Sequence, residues 1–156
     1  MQSDTEFFAA LLNTELKTTC TLHSVLQREL SALSAKDMDA LQHLTPEKQT
    51  LLANLQRQAQ QRLQWLTEQD LPHNNQCLQR HDLAVHAEIP SLWQQLINQY
   101  EKNQHLSVRL SEVVLSLRYR TQQQLKILHG RHNDPHLYNN EGKASGLTLG
   151  NSCIQA

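Results

Sequence analysis

Apolar residues in the first part of the chain recur at alternating steps of three and four. Ala9, Leu12, Leu16, Thr19, His23, Leu26, Leu30 and Leu33 form the series, and Leu11 and Leu22 widen it. One apolar stripe held over about eight turns predicts an amphipathic helix roughly 45 Å long at 1.5 Å per residue. Asp4 is its predicted N-cap, and Glu6 adds a carboxylate to the first turn, where the helix dipole favours it. Residues 34–37 are a polar break, and Asp37 is placed to cap a second helix. The second stripe holds Met38, Leu41, Leu44, Leu51, Leu52, Leu55, Ala59, Leu63 and Leu66. Pro46 falls inside it between Thr45 and Glu47, which predicts a kink or short break at residues 44–46 and a helix resuming to about Asp70.

Leu71, Pro72 and the polar HNNQ stretch end that helix. Cys77, Leu78, Leu83 and Val85 predict a short helix within residues 74–87, and Pro90 separates it from a third long helix. This one is predicted from Ser91 to about His129. Its apolar set is Leu92, Trp93, Leu96, Ile97, Tyr100, Leu106, Leu110, Val113, Val114, Leu117, Leu125 and Leu128. Gly130 is the predicted stop. The fold class is therefore all-α: an antiparallel bundle of three long helices, the second kinked near Pro46, with a short helix and a C-terminal tail.

Composition supports this and adds a boundary. Leu supplies 28 residues and Gln 20, both good helix formers, while aromatics make up 4%. The four glycines are Gly130, Gly142, Gly146 and Gly150. A sheet protein needs positive-φ turns, so a stretch without glycine before residue 130 argues for long helices. Residues 131–156 hold the remaining glycines with many Asn and Ser, a composition that buries little apolar surface. The expected organisation is a helical domain over 1–130 and a flexible, Gly-containing tail over 131–156.

The formal net charge of −1 gives no global attraction to nucleic acid, membrane or acidic substrates. Cys20, Cys77 and Cys153 are odd in number, widely spaced and without a CxxC, which suits a reducing compartment. The opening MQSDTEFF lacks the pattern of a signal peptide, and no apolar run approaches membrane-spanning length. Of nine histidines, His129, His132 and His136 have helical spacing, but Gly130 and Pro135 interrupt it and no carboxylate or Cys set joins them. No nucleophile motif, phosphate loop or paired Glu-x-x-His is present. The expectation is a protein that is not an enzyme and needs no metal or cofactor.

Two features point to partners instead. Between Glu112 and Asp134 there is no acidic residue, while Arg118, Arg120, Lys126 and Arg131 occur with Tyr119 among them. The dipole at a helix C-terminus accounts for such cations; an acidic partner surface is the alternative, and nucleic acid a third. In the third helix the pairs Leu92/Trp93, Leu96/Ile97 and Val113/Val114 cannot all face one narrow seam. They either bury against residues 74–87 or leave a groove for a partner helix.

Several segments together resemble FlgN-type flagellar export chaperones. They are the long opening helix, LSAKDMDALQHLTPEKQTLLANL at residues 33–55, QRLQWLTEQDL at residues 61–71, and the Trp93 helix with Asn103. The most specific is LKILHGRHNDPHLYNNEGKAS, where Leu128, Gly130, Leu137, Tyr138 and Gly142 meet the family's pattern; Asn139 departs from it, since an acidic residue often follows the tyrosine. The resemblance implies a cytoplasmic chaperone of the flagellar type III export apparatus. Its clients would be the hook–filament junction proteins FlgK and FlgL, held by their C-terminal amphipathic helices so that they do not assemble early. Leu106, Leu110, Val113, Val114, Leu117, Leu125 and Leu128 are the candidate client contacts. Leu137 and Tyr138 are, by the likeness, candidates for docking to the export-gate protein FlhA. A helical scaffold acting by self-association is the competing reading of the same stripes.

Overall fold

The computed structural model describes the backbone of residues 2–133 and the side chains of residues 3–129. The helices are α1 (Gln2–Ala35), α2 (Met38–Glu68), the single turn α3 (His81–Ala84) and α4 (Ile89–Asn133), with a 3-10 turn at Asn75–Gln79 before α3. No strand occurs among the described residues. These residues fall into two compact units, one ending at Val113 and the other beginning at Val114, with α4 contributing to both.

In the first unit α1, α2 and the opening part of α4 pack around one another, as their apolar stripes require. On α1 the buried series is Thr5, Phe8, Leu12, Glu15, Thr19, Leu22 and Leu26, stepping by three and four like the seam of a coiled coil. Phe8 stacks on Trp65 of α2 with ring centroids 4.2 Å apart and lies 6.4 Å from Trp93 of α4, so each long helix gives one aromatic ring to the same cluster. Ala9, Leu12, Leu66, Cys77, Leu83, Ile89 and Leu96 complete that cluster. A second cluster joins Leu22, Leu26, Leu55 and Leu110. A third, of Val25, Ala32 and Leu44, belongs to α1 and α2 alone. The successive pairings Phe8–Trp93, Glu15–Tyr100 and Thr19–Asn103 show that α4 runs parallel to α1 and antiparallel to α2.

The turns are built without glycine. Lys36, at φ 55°, and Asp70, at φ 54°, take the left-handed region that usually falls to glycine. At the first turn the amides of Lys36 and Asp37 donate to the carbonyls of Leu33 and Ala32. At the second, those of Asp70 and Leu71 donate to Thr67 and Leu66. Both are Schellman closures, each carrying a side-chain penalty of about 1–2 kcal/mol for the left-handed residue. Asp37 caps α2 as expected, accepting from the Ala40 amide at 3.1 Å.

Several boundaries differ from the sequence reading. Asp4 lies inside the first turn of α1, which already begins at Gln2. Of the kink or short break expected at residues 44–46, the break is absent, because α2 runs through Pro46. Proline leaves the Gln42 carbonyl without its helical donor, but Gln42 is exposed and water can satisfy it. The expected short helix over residues 74–87 is a 3-10 turn and one α-turn, divided by extended backbone at Arg80. α4 begins at Ile89 rather than Ser91, taking Pro90 into its first turn, and it continues through Gly130 to Asn133. A glycine inside a helix costs about 1 kcal/mol relative to alanine, which lowers helical stability without forcing a stop.

Four buried residues among those described are polar, and one of them, Glu15, is ionisable. Glu15 is 0% exposed, yet it sits in the apolar series of α1. Arg62 of α2 donates to it through Nε at 2.8 Å and Nη2 at 3.3 Å, and the Tyr100 hydroxyl of α4 donates at 2.5 Å. Arg62 also lies 5.7 Å from the Trp93 ring centroid. One turn along, the Asn103 amide donates to the Thr19 carbonyl at 3.0 Å, and its oxygen meets His23 Nδ1 at 2.9 Å and Gln99 Nε2 at 3.1 Å. A two-part polar layer thus ties all three long helices together. Burial, the hydrogen bond to Glu15 and the Glu15 charge push the Tyr100 phenol above its ordinary value of 10.0, and the Arg62 charge opposes them only in part.

This layer yields two expected outcomes. Arg62→Met should destabilise the protein by about 3–5 kcal/mol in chemical denaturation, because it strands a buried carboxylate, whereas Glu15→Met with Arg62→Met should recover most of that loss. The raised phenol favours the folded state fully below its unfolded value of 10.0, and this contribution is lost as the pH climbs beyond it. Wild type should therefore lose stability more steeply than Tyr100→Phe as the pH rises above about 10, read by thermal unfolding of the two proteins in parallel.

Candidate functional site

The changing surroundings of α4 along its length place the candidate site. Ile89, Trp93, Leu96, Asn103 and Leu110 are buried in the three-helix unit. The Trp93 indole donates to Asn75 Oδ1 at 2.8 Å, which joins α4 to the 3-10 turn. Arg80, just beyond that turn, donates to Gln69 Oε1 at 2.9 Å and to Asp82 at 2.6 Å, and lies 5.5 Å from the Trp65 ring centroid. The Arg80 guanidinium holds the Asp82 carboxyl below its usual range. Part of the wide apolar set of α4 is thereby accounted for. Trp93 and Leu96 are buried in the first cluster, and Leu92 and Ile97 pack against it.

The candidate contacts divide between two environments. Leu110, 5% exposed, is a member of the second core cluster, and Leu106 packs against that cluster. Val113 is half-buried. Beyond it, Leu117 is half-buried while Val114, Leu125 and Leu128 are 40%, 49% and 63% exposed. At 3.6 residues per turn, Val114, Leu117, Leu125 and Leu128 share one stripe of the helix. Leu115, Tyr119 and Ile127 are also exposed and were not among the sequence candidates. They lie off that stripe, so a search for one periodic face passes over them; runs of neighbouring apolar residues were the available signal. Leu137 and Tyr138 lie outside the described residues.

Among the described residues no group of three or more His, Cys, Asp or Glu is placed to hold a metal ion. Cys77 is buried against the aromatic cluster, and burial raises its thiol pKa, which disfavours the nucleophilic thiolate. A depression of about 230 Å³ is lined by Arg62, Trp93 and Tyr100, but its charged group is already bonded to Glu15. The second half of α4 carries exposed apolar surface, which suits docking.

Comparison with known families gives a match to the model described as FlgN protein, over residues 1–146. The chain belongs to the FlgN family. No curated protein and no solved structure matches it. FlgN proteins are flagellar export chaperones rather than enzymes, and their clients are flagellar hook-associated proteins. The matched region takes in every described residue and the Leu137–Tyr138 pair. Among the described residues, no helix of this FlgN-family chain is long and apolar enough to cross a membrane.

The two environments on α4 are separable by stability. Leu110→Ala should cost about 2–5 kcal/mol in urea denaturation, as a core truncation does. Leu125→Ala should stay within about 0.5 kcal/mol of wild type.

Proposed function

We propose that this chain is a cytoplasmic chaperone that holds the C-terminal amphipathic helices of FlgK and FlgL, prevents their premature assembly and delivers them to the export gate. The observation that carries this reading is the stripe of exposed Val114, Leu125 and Leu128 with half-buried Leu117. An amphipathic client helix laid along it would remove apolar surface of both partners from water. Leu110 is left to the core, because a residue buried among Leu22, Leu26 and Leu55 cannot also face a client without opening the bundle, and half-buried Leu106 and Val113 would border the client contact. The proposed division of labour gives residues 1–130 the holding role and residues 131–156 the hand-off. Leu137 and Tyr138 would dock to FlhA, a role supported by the family resemblance at those positions. Binding and release need no nucleotide or metal.

The test is calorimetry of the full chain with the C-terminal segments of FlgK and FlgL. One-to-one binding is expected. Val114→Asp with Leu117→Asp should weaken it at least about tenfold while the helical circular dichroism is kept, since burying an unpaired carboxylate in an apolar contact costs more than a kcal/mol. Tyr138→Ala should leave client affinity unchanged and weaken FlhA binding. A chain that stays self-associated and ignores both segments would instead be a scaffold.

A further inference from the structure

Two arginines of α4, Arg118 and Arg120, lie beyond the reach of the dipole at its end. The stretch between Glu112 and Asp134 has no acidic residue, and α4 continues to Asn133. Arg118 and Arg120 therefore stand about four turns before the helix end. The dipole acts within roughly the last turn, so it does not account for arginines at these positions. Both are exposed, and among the described residues neither makes an ion pair. Four of the nine basic residues of the first unit are paired instead. Arg28, Lys48, Arg62 and Arg80 are each bonded to a carboxylate.

Their positions on the helix are informative. With Val114, Leu117, Leu125 and Leu128 on one stripe, 3.6 residues per turn puts Arg118 on one margin of it and Arg120 on the other. Lys126 falls on the opposite side of the helix. Charges bordering an apolar seam are the positions that set partner choice and orientation when helices pair. A partner with basic margins would be repelled at both edges, and a partner with uncharged margins would leave the arginines without compensation.

We propose that this part of α4 selects amphipathic helices whose apolar face is bordered by carboxylates on both sides. The inference rests on the reading of the stripe as the client surface and adds the chemistry by which a client is distinguished. Apolar burial supplies the holding, and the two arginines supply the discrimination.

The experiment uses the full chain and two synthetic helical peptides with the same apolar face, one with Glu and one with Lys on both margins. The Glu peptide should bind about five- to tenfold more tightly, the range expected from a few exposed ion pairs. Its affinity should fall severalfold between about 50 and 300 mM NaCl as screening shortens the reach of those charges. Arg118→Glu with Arg120→Glu should invert the preference. These residues are exposed, so retained circular dichroism and an unchanged melting temperature are expected of that variant. Equal, salt-indifferent binding of the two peptides, lost in Val114→Asp with Leu117→Asp, would overturn the inference and leave the client surface standing. Binding untouched by Val114→Asp with Leu117→Asp, or no binding of either peptide, would overturn both. Capture by phosphatidylglycerol vesicles that Arg118→Glu with Arg120→Glu abolishes, with no preference between peptides, would overturn it in favour of a lipid surface.

Discussion

The carboxylate of Glu15 is the constraint around which the three-helix unit is organised. A charge with no exposed surface is tolerated only where a countercharge and hydrogen bonds replace the water it has lost. Here the replacement comes from both other long helices: Arg62 from α2, 47 residues away, and Tyr100 from α4, 85 residues away. An apolar seam alone would tolerate a shift of one helix past another, since one leucine resembles the next. A buried carboxylate with two directional donors does not. The neighbouring layer of Thr19, Asn103, His23 and Gln99 fixes the same register a turn further on.

That register decides which part of α4 is core and which is surface. With Tyr100 and Asn103 fixed against α1, Leu110 joins Leu22, Leu26 and Leu55, and Leu106 packs beside them. The apolar residues from Val114 onward lie in the second unit and retain much of their exposure. A protein of this family holds clients, and holding requires apolar surface that its own fold leaves open. On the proposed reading, stability and function draw on the same helix at different points along its length.

The turns show how a chain without early glycine manages its reversals. Lys36 and Asp70 adopt left-handed backbone and close α1 and α2 with complete Schellman hydrogen bonding. The strain is small beside what the paired helices bury, and Leu71, which comes directly after the second closure, packs onto the aromatic cluster. Pro46 obeys the same logic. Its missing donor concerns a carbonyl on an exposed turn, so α2 loses a single bond and keeps the stripe that carries Leu44, Leu55 and Leu66.

Helical periodicity, an abundance of Leu and Gln, and the absence of glycine before residue 130 determined the three long helices, since each is a local property of the chain. The cap at Asp37 was legible for the same reason: a side chain three residues from its amide partner needs no tertiary information. Glu15 was passed over because a carboxylate reads as solvent-facing until Arg62 and Tyr100 are brought to it. Leu110 and Leu125 look alike in the sequence, each one member of a heptad-like series, and only packing made the first core and left the second exposed. The basic run read as a helix end, although Arg118 stands about three turns before His129 and about four before the observed end at Asn133. In each case local propensity specified the element, while burial depended on partners many residues away, which the sequence pattern alone does not place.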